Sequence, residues 1–408
     1  MLGKIIFALL VSVLVITPIP YGTVEPWWKA AFICEVLGIF IFGIWEKPIF
    51  ENPSLVLLPL LALSGLAFLQ SWIALSADPF QTRFFALQLL ALTAFLSLLY
   101  RYAATESRIR VLVYTIVGVA IVSAIFGILR QTTQHETGFL LPLLKQNQGF
   151  AQFVNKNHFA YLMEMALGLA IGLIIAGGSK QKLIQFALLL PIWVGLVLSN
   201  SRGGILAMLV QVTIAALFLL RATTLKLALA AVLIAGVLLG TIWVGGERLV
   251  TNFSAAGSEL TTTVRDGASR NEIWRATLKM FAAHPILGVG LGAYWIGITA
   301  YHDASGLLTP QEAHNDYLEL LSSGGVVGLA LGVWFAVNVI RLARGNLNTD
   351  TGFIRAVRIG SVLGIAGVAA HSLLDFGLHL FGNTVVFLTL IMMLTFRRRD
   401  TFDEYETT

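Results

Sequence analysis

The sequence predicts an all-α, polytopic integral membrane protein with about 12 transmembrane helices and one large helical loop outside the bilayer. Hydrophobic residues make up 57% of the chain and charged residues 12%, with a mean hydropathy of +0.81; soluble domains carry about 25% charge. Basic residues recur in alternate loops, the mark of a chain that threads a membrane repeatedly. Two apolar runs, 183–198 and 205–220, are separated only by Ser199-Asn200-Ser201-Arg202-Gly203-Gly204. Lys180 and Lys182 precede that pair, and Arg221 and Lys226 follow it. Both flanks are therefore expected inside, with Arg202 held at the outer surface. An arginine there needs an anion or a wet cavity.

Spans are expected near 5–19, 28–45, 55–75, 84–100, 111–129, 159–176, 183–199, 204–220, 226–244, 324–342, 356–374 and 383–396. The first follows Lys4 and imitates a signal peptide. More spans follow it and no small-x-small cleavage site is visible, so it reads as a retained helix. The remaining basic loops carry Arg101, Arg108 and Arg110; Arg341, Arg344, Arg355 and Arg358; and the tail Arg397-Arg398-Arg399. With both termini inside, every basic loop faces the cytoplasm, which requires an even number of spans. The excess of 27 basic over 22 acidic residues thus sets orientation and calls for no nucleic-acid partner. The single Cys34 lies in an apolar run, so there is no disulfide framework. The chain divides into N-terminal spans over 1–150, a membrane core over 151–400 that includes a loop at 245–323, and a tail at 401–408.

Two outward segments are long, about 130–158 and 245–323, and loops of that length are usually functional. Within the second, Ser269-Arg270-Asn271-Glu272 reads as a capping box opening a helix with Ile273, Trp274, Thr277, Leu278 and Phe281 on its apolar side. His284-Pro285 ends that helix. Thr309-Pro310-Gln311-Glu312 reads as a second capping box, with proline at the first helical position. The helix it opens would carry His314, Tyr317, Leu318 and Leu321 on one face before Gly324-Gly325.

The candidate site residues lie at these outward ends. Arg202 either snorkels at the interface or meets a ligand, for which the bare backbone of Gly203-Gly204 allows close approach. Arg270, in the first turn of its helix, places a guanidinium beside free backbone N–H groups, an arrangement suited to phosphate; a surface salt bridge explains it equally well. Arg265 is a nearby competitor, while Arg275 reads as solvated. His314 is suited to take a proton from a hydroxyl, or is structural. Asn155, Asn157 and His158 offer groups for sugar hydroxyls, against helix capping by Asn157, and Glu164 follows inside the span. His371 and Asp375, at i and i+4, read as a structural pair. Gly288-Val289-Gly290-Leu291-Gly292 is no dinucleotide fingerprint but a tight, backbone-exposing turn. Zinc spacings, a P-loop, a Gly-x-Ser-x-Gly elbow and an Asp-x-Asp motif are all missing, so nothing calls for a metal or cofactor.

Taken in order, several segments resemble the O-antigen ligase/polymerase superfamily. They are Phe153-Val154-Asn155-Lys156-Asn157-His158-Phe159, Ser201-Arg202-Gly203-Gly204, Arg270-x-x-x-Trp274 running into His284-Pro285-x-x-Gly288-x-Gly290-x-Gly292, Ala313-His314-Asn315-Asp316-Tyr317-Leu318-Glu319, and His371-Ser372-Leu373-Leu374-Asp375-Phe376. The resemblance covers roughly 150–380. It implies a glycosyltransferase of the bacterial inner membrane, working on the periplasmic face through a periplasmic loop at 245–323. The implied donor is an undecaprenyl-pyrophosphate-linked glycan and the acceptor a lipid or glycan, with no nucleotide sugar, metal or cofactor. By motif, Arg202 and Arg270 (or Arg265) would bind the pyrophosphate and His314 would act on the acceptor hydroxyl. Asn155, Asn157, His158 and Tyr317 would contact substrate.

A polymerase that uses a second lipid-linked repeat as acceptor shares all of these motifs. A flippase or transporter of lipid-linked anionic glycans is the rival from another class. It should place ionisable groups and broken helices at the bilayer midplane, whereas the notable residues here gather at outward ends.

Overall fold

The computed structural model describes residues 2–46, 55–73, 75–133, 144, 149–176, 182–219, 235, 239, 241, 270–302, 310–347 and 350–396. It is all-helical: the described residues form no strand beyond an isolated bridge between Phe150 and Phe153. The longer helices are α1 (Leu2–Ile16), α2 (Pro26–Glu46), α3 (Leu57–Trp72), α4 (Pro79–Tyr102), α5 (Glu106–Thr133), α6 (Lys156–Ala176), α7 (Lys182–Leu198), α8 (Arg202–Leu219), α9 (Arg270–Ala283), α10 (Asp316–Leu347), α11 (Gly352–His371) and α12 (Phe381–Thr395). Among the described residues, α2, α4, α5, α6, α10 and α11 are the six long and apolar enough to cross a membrane. The shorter apolar helices α1, α3, α7, α8 and α12 also fall on expected spans. The expected span at 226–244 lies outside the described residues except for Ala235, Leu239 and Thr241.

The centre of the bundle is the antiparallel pair α6 and α11. Gly168 and Gly172 on one meet Gly360 and Gly364 on the other so closely that a Cβ at Gly168 would lie 2.4 Å from the Gly364 nitrogen. Small residues in this spacing let membrane helices reach van der Waals contact along their backbones. The contact fixes the N-terminal end of α6, with Asn157, beside the C-terminal end of α11, with His371. At the opposite end of α11, Arg358 is buried. Its guanidinium caps α12 by donating to the carbonyls of Leu394 (2.5 Å) and Phe396 (3.0 Å), and it pairs with Asp350 at 2.5 Å. Expected as a charge in a cytoplasmic loop, Arg358 instead satisfies orphan carbonyls at a helix end.

The loop helix α9 runs over Arg270–Ala283, as the first capping pattern predicts; Ser269 itself lies outside the described residues. Its buried face is Ile273, Ala276, Thr277 and Met280, whereas Leu278 points outward at 48% exposure. The second capping pattern is corrected. Residues 310–315 are not helical and α10 begins at Asp316. Asn315 has taken the capping role: its Oδ1 accepts from the backbone nitrogens of Tyr317 and Leu318, both at 3.0 Å. An Asx cap competes directly with one turn of helix upstream, and here it wins.

Helix α10 is broken where its two expected parts meet, at Gly325 (φ 64°, ψ −166°). A Cβ there would sit 2.2 Å from the Ile286 carbonyl oxygen. The turn after α9 replaces the lost ladder. Val326 N donates to Pro285 O (2.8 Å) and Val327 N to Ile286 O (3.2 Å), while Val289 N and Gly290 N donate to the carbonyls of Ser322 and Ser323 at 3.2 and 3.0 Å. From α3, Gln70 closes the junction, donating to Leu287 O and Ser323 O and accepting from Leu291 N.

Two substitutions test this junction. Gly325→Ala places a side chain in a conformation that costs about 1–3 kcal/mol for any residue but glycine and meets the Ile286 carbonyl. Gln70→Leu strands buried backbone groups at about 1–3 kcal/mol each. Both should lower the thermal midpoint of purified protein in detergent. Gly118→Ala, in open space on α5, should not.

Candidate active site

Four backbone ends converge at one end of the bundle: the starts of α6 and α8, the 310–315 turn before α10, and the 372–379 turn after α11. Asn155 starts α6, its Oδ1 accepting from Asn157 N at 2.9 Å. Capping therefore falls to Asn155 rather than Asn157. The freed Asn157 side chain donates from Nδ2 to Asp375 Oδ2 and accepts from Ser201 Oγ (2.9 Å). Ser201 in turn caps α8, accepting from Gly204 N at 3.1 Å. Arg202 is thus the first residue of a helix tied through one serine and one asparagine to Asp375.

Asp375 is 1% exposed and its Oδ1 lies 3.4 Å from His314 Nδ1. Burial pushes its carboxyl up, but the hydrogen bond and charge of His314, with His158 and His371 nearby, outweigh that and hold it below the ordinary carboxylate range. Asp375 is therefore ionised beside the His314 ring. The His314 side chain is 34% exposed and its backbone is left-handed (φ 50°), uncommon for a residue with a side chain. Its neighbours enforce that conformation. Ala313 N donates to Glu319 Oε2 (2.9 Å) and Ala313 O accepts from Trp274 Nε1 (3.0 Å). On the other side, Asn315 Nδ2 donates to Leu373 O and Asp316 N to Ser372 O, both at 3.0 Å. These bonds hold residue 314 in a sparsely populated backbone conformation.

The expected pairing of His371 with Asp375 is corrected. Only their backbones meet, Asp375 N donating to His371 O. The His371 ring pairs instead with Glu164 of α6, Nδ1 to Oε2 at 3.0 Å, and stacks on Tyr161 at 4.2 Å. Helix packing brought a partner from α6 closer than the one on its own chain segment. Gly203 lies against this ring: a Cβ there would come 2.3 Å from His371 Nε2, so the α8 start is seated directly on the buried pair.

His158 is buried, its ring edge-on to Phe376 at 4.9 Å, and Phe376 also meets His314 (5.0 Å) and His379 (5.9 Å). Tyr317 donates its hydroxyl to Ala369 O at 2.8 Å. Arg270 is the first residue of α9, one turn before Trp274 and so on the face that meets Ala313. Arg265 lies outside the described residues.

A second cluster, unsignalled in the sequence, flanks His314 on its other side. His379 Nδ1 lies 3.1 Å from Glu312 Oε2 and 3.5 Å from Glu319 Oε1, and its Nε2 lies 3.4 Å from Asp316 Oδ1. Burial alone would depress this imidazole, but the carboxylates of Glu319, Glu312 and Asp316 push it up to about 10. Glu312 is lowered: His379 beside it outweighs the effect of burial. His379 stands alone in Gly377-Leu378-His379, which no motif marks.

These are the features of a multi-pass helical membrane protein with an oriented histidine at one end of its bundle. Residues 186–333 match the O-antigen ligase family model, and the match supports the O-antigen ligase superfamily, the group its motifs resemble. The matched stretch contains Arg202, Arg270 and His314, while Asn157, Glu164, His371 and Asp375 lie outside it. No curated protein matches the chain. The family points to a membrane glycosyltransferase-like ligase, or a related polymerase, acting on a lipid-linked glycan.

The His379 cluster makes stability depend on pH. An unfolded histidine titrates near ~6.5, so its folded value of about 10 means stabilisation that is complete below ~6.5 and lost as pH rises through about 10. The thermal midpoint in detergent should fall between about pH 7 and pH 10. His379→Gln should flatten that slope, and an unchanged slope would remove His379 as its source.

Proposed function

We propose that the chain transfers a glycan from an undecaprenyl-pyrophosphate carrier to an acceptor hydroxyl on the periplasmic face of the bacterial inner membrane. The transfer is inverting and metal-independent. The observation that carries this reading is the geometry of His314: a strained, multiply anchored histidine facing an ionised, buried Asp375 that is itself wired to the α8 start.

In this mechanism His314 takes the acceptor proton as the hydroxyl oxygen attacks the anomeric carbon. The bond from that carbon to the phosphate oxygen breaks, and undecaprenyl pyrophosphate leaves with the electron pair. Asp375 orients the imidazole and stabilises it once protonated. The leaving group is already good, so the protein must supply charge neutralisation and alignment. Arg202 and Arg270 each occupy the first position of a helix, where guanidinium and helix N-terminus favour the same anion.

The structure contains two features a transporter would also use, a broken helix and the buried Glu164–His371 pair. The break, however, is filled by the chain's own turn, and the titratable groups collect at one end of the bundle. That arrangement favours surface chemistry.

Transfer from a purified undecaprenyl-pyrophosphate-linked donor, assayed with EDTA present, tests the proposal. His314→Ala should lose about 10²–10⁴-fold in rate, and Asp375→Asn should lose less. Arg202→Lys should be well expressed yet severely impaired, because a point-charge ammonium cannot reproduce the bidentate guanidinium fork. Arg270→Lys should be milder, since backbone N–H groups at the start of α9 share the anion. Full activity of Arg202→Lys would make that residue an interfacial snorkelling arginine, and loss of wild-type activity in EDTA would overturn the metal-free mechanism. In a deletion strain, free carrier-linked polymer indicates a ligase and single repeats a polymerase.

A further inference from the structure

Glu164 and His371, each 0% exposed, take no part in the proposed reaction. Their hydrogen bond, His371 Nδ1 to Glu164 Oε2 at 3.0 Å, does not by itself account for the pair. Glu164 Oε1 and His371 Nε2 are both buried without a hydrogen-bond partner, and such groups cost stability. Well-packed apolar side chains of similar volume often serve a core as well or better.

What the pair does hold is a series of contacts that crosses the site. Gly203, next to Arg202, rests on the His371 ring, and a Cβ there would come 2.3 Å from both Cδ2 and Nε2. The ring stacks on Tyr161 at 4.2 Å. Tyr161 in turn is packed against Gly377, where a Cβ would lie 2.2 Å from the phenol ring. Gly377 follows Phe376, whose ring meets His314 at 5.0 Å. The series runs from the neighbour of one candidate arginine to the neighbour of the candidate base. Each end of it is glycine backbone, so no flexible side chain absorbs a shift of the two rings between.

Hydrogen bonds fix how those rings lie. Glu164 ties His371 Nδ1, so the ring cannot turn over without losing that bond, and the atoms it offers to Gly203 are set. The Tyr161 hydroxyl lies 3.2 Å from Ser372 Oγ, and Ser372 O accepts from Asp316 N, two residues beyond His314. Tyr161 and Glu164 sit three residues apart on α6 and so share a face. That helix is itself locked to α11 by the glycine contact.

We propose that Glu164 and His371 are positioning residues, which with Tyr161 set the separation between Arg202 and His314; this rests on the glycosyltransferase reading. In a displacement the attacking oxygen, the anomeric carbon and the departing oxygen must be aligned. Arg202 acts at one end of that line and His314 at the other. A misplacement of about 1 Å between such groups can cost about 10²-fold in rate.

The test compares Glu164→Gln, which keeps an acceptor oxygen and the same length, with Glu164→Leu, which keeps neither charge nor acceptor. The full chain in nanodiscs is assayed for transfer from the purified undecaprenyl-pyrophosphate-linked donor, per folded protein, with donor and acceptor varied in turn. Glu164→Gln should stay within about threefold of wild type. Glu164→Leu should lose about 10–100-fold in kcat, while both KM values move less than about twofold, the pattern of lost alignment rather than lost binding. Tyr161→Leu thins the series but leaves the Glu164 bond in place; it should lose kcat about tenfold, and it carries the test if Glu164→Leu does not fold. Coupling gives a second readout. Glu164→Leu combined with Arg202→Lys should lose less than the product of the separate losses, whereas combined with Arg270→Lys, on α9, it should lose the full product. A purely structural pair would lower the thermal midpoint of Glu164→Leu and leave kcat unchanged, which overturns the proposal. Equal losses in Glu164→Gln and Glu164→Leu, or full products in both combinations, overturn it too. Wild-type kcat in these variants beside an active wild type ends this role alone, and no transfer by the wild type ends the glycosyltransferase reading and this role with it.

Discussion

A buried helix cannot be interrupted unless something replaces the hydrogen bonds it gives up. At Gly325 the chain meets that requirement by inserting its own 285–291 turn, with Gln70 as the cross-piece. Much of the site hangs on this junction. It fixes the end of α9 against α10, and α9 carries Trp274, whose indole holds the Ala313 carbonyl. Ala313 is in turn held by Glu319 in the first half of α10. The backbone of His314 is thus fastened on one side to a structure that exists only because the helix is broken. On its other side it is fastened to the 372–375 turn, whose position follows from the glycine contact between α6 and α11. The histidine stands where two independently fixed bodies meet.

The sequence revealed the helices well because apolar length is a local property. Eleven of the expected spans fall on helices, and the Gly324-Gly325 boundary between loop helix and span coincides with the break. What it did not reveal depends on non-local partners. Thr309-Pro310 carries the helix-start signal, yet Glu319 and Leu373 hold residues 313 and 315 out of the helix, and the start moves to Asn315. His371 and Asp375 were recognised but paired with each other, since their spacing is visible while the approach of Glu164 and His314 is not. His379 acquires meaning only when three carboxylates from the 312–319 segment fold around it.

On the proposed reaction, charge has a direction across the site. As the acceptor proton reaches His314, positive charge develops beside Asp375, and negative charge develops on the departing pyrophosphate. The carboxylate is held by the Asn157 amide before substrate arrives, so it needs little reorganisation as that separation grows. Groups ordered in this way stabilise the transition state more than the ground state.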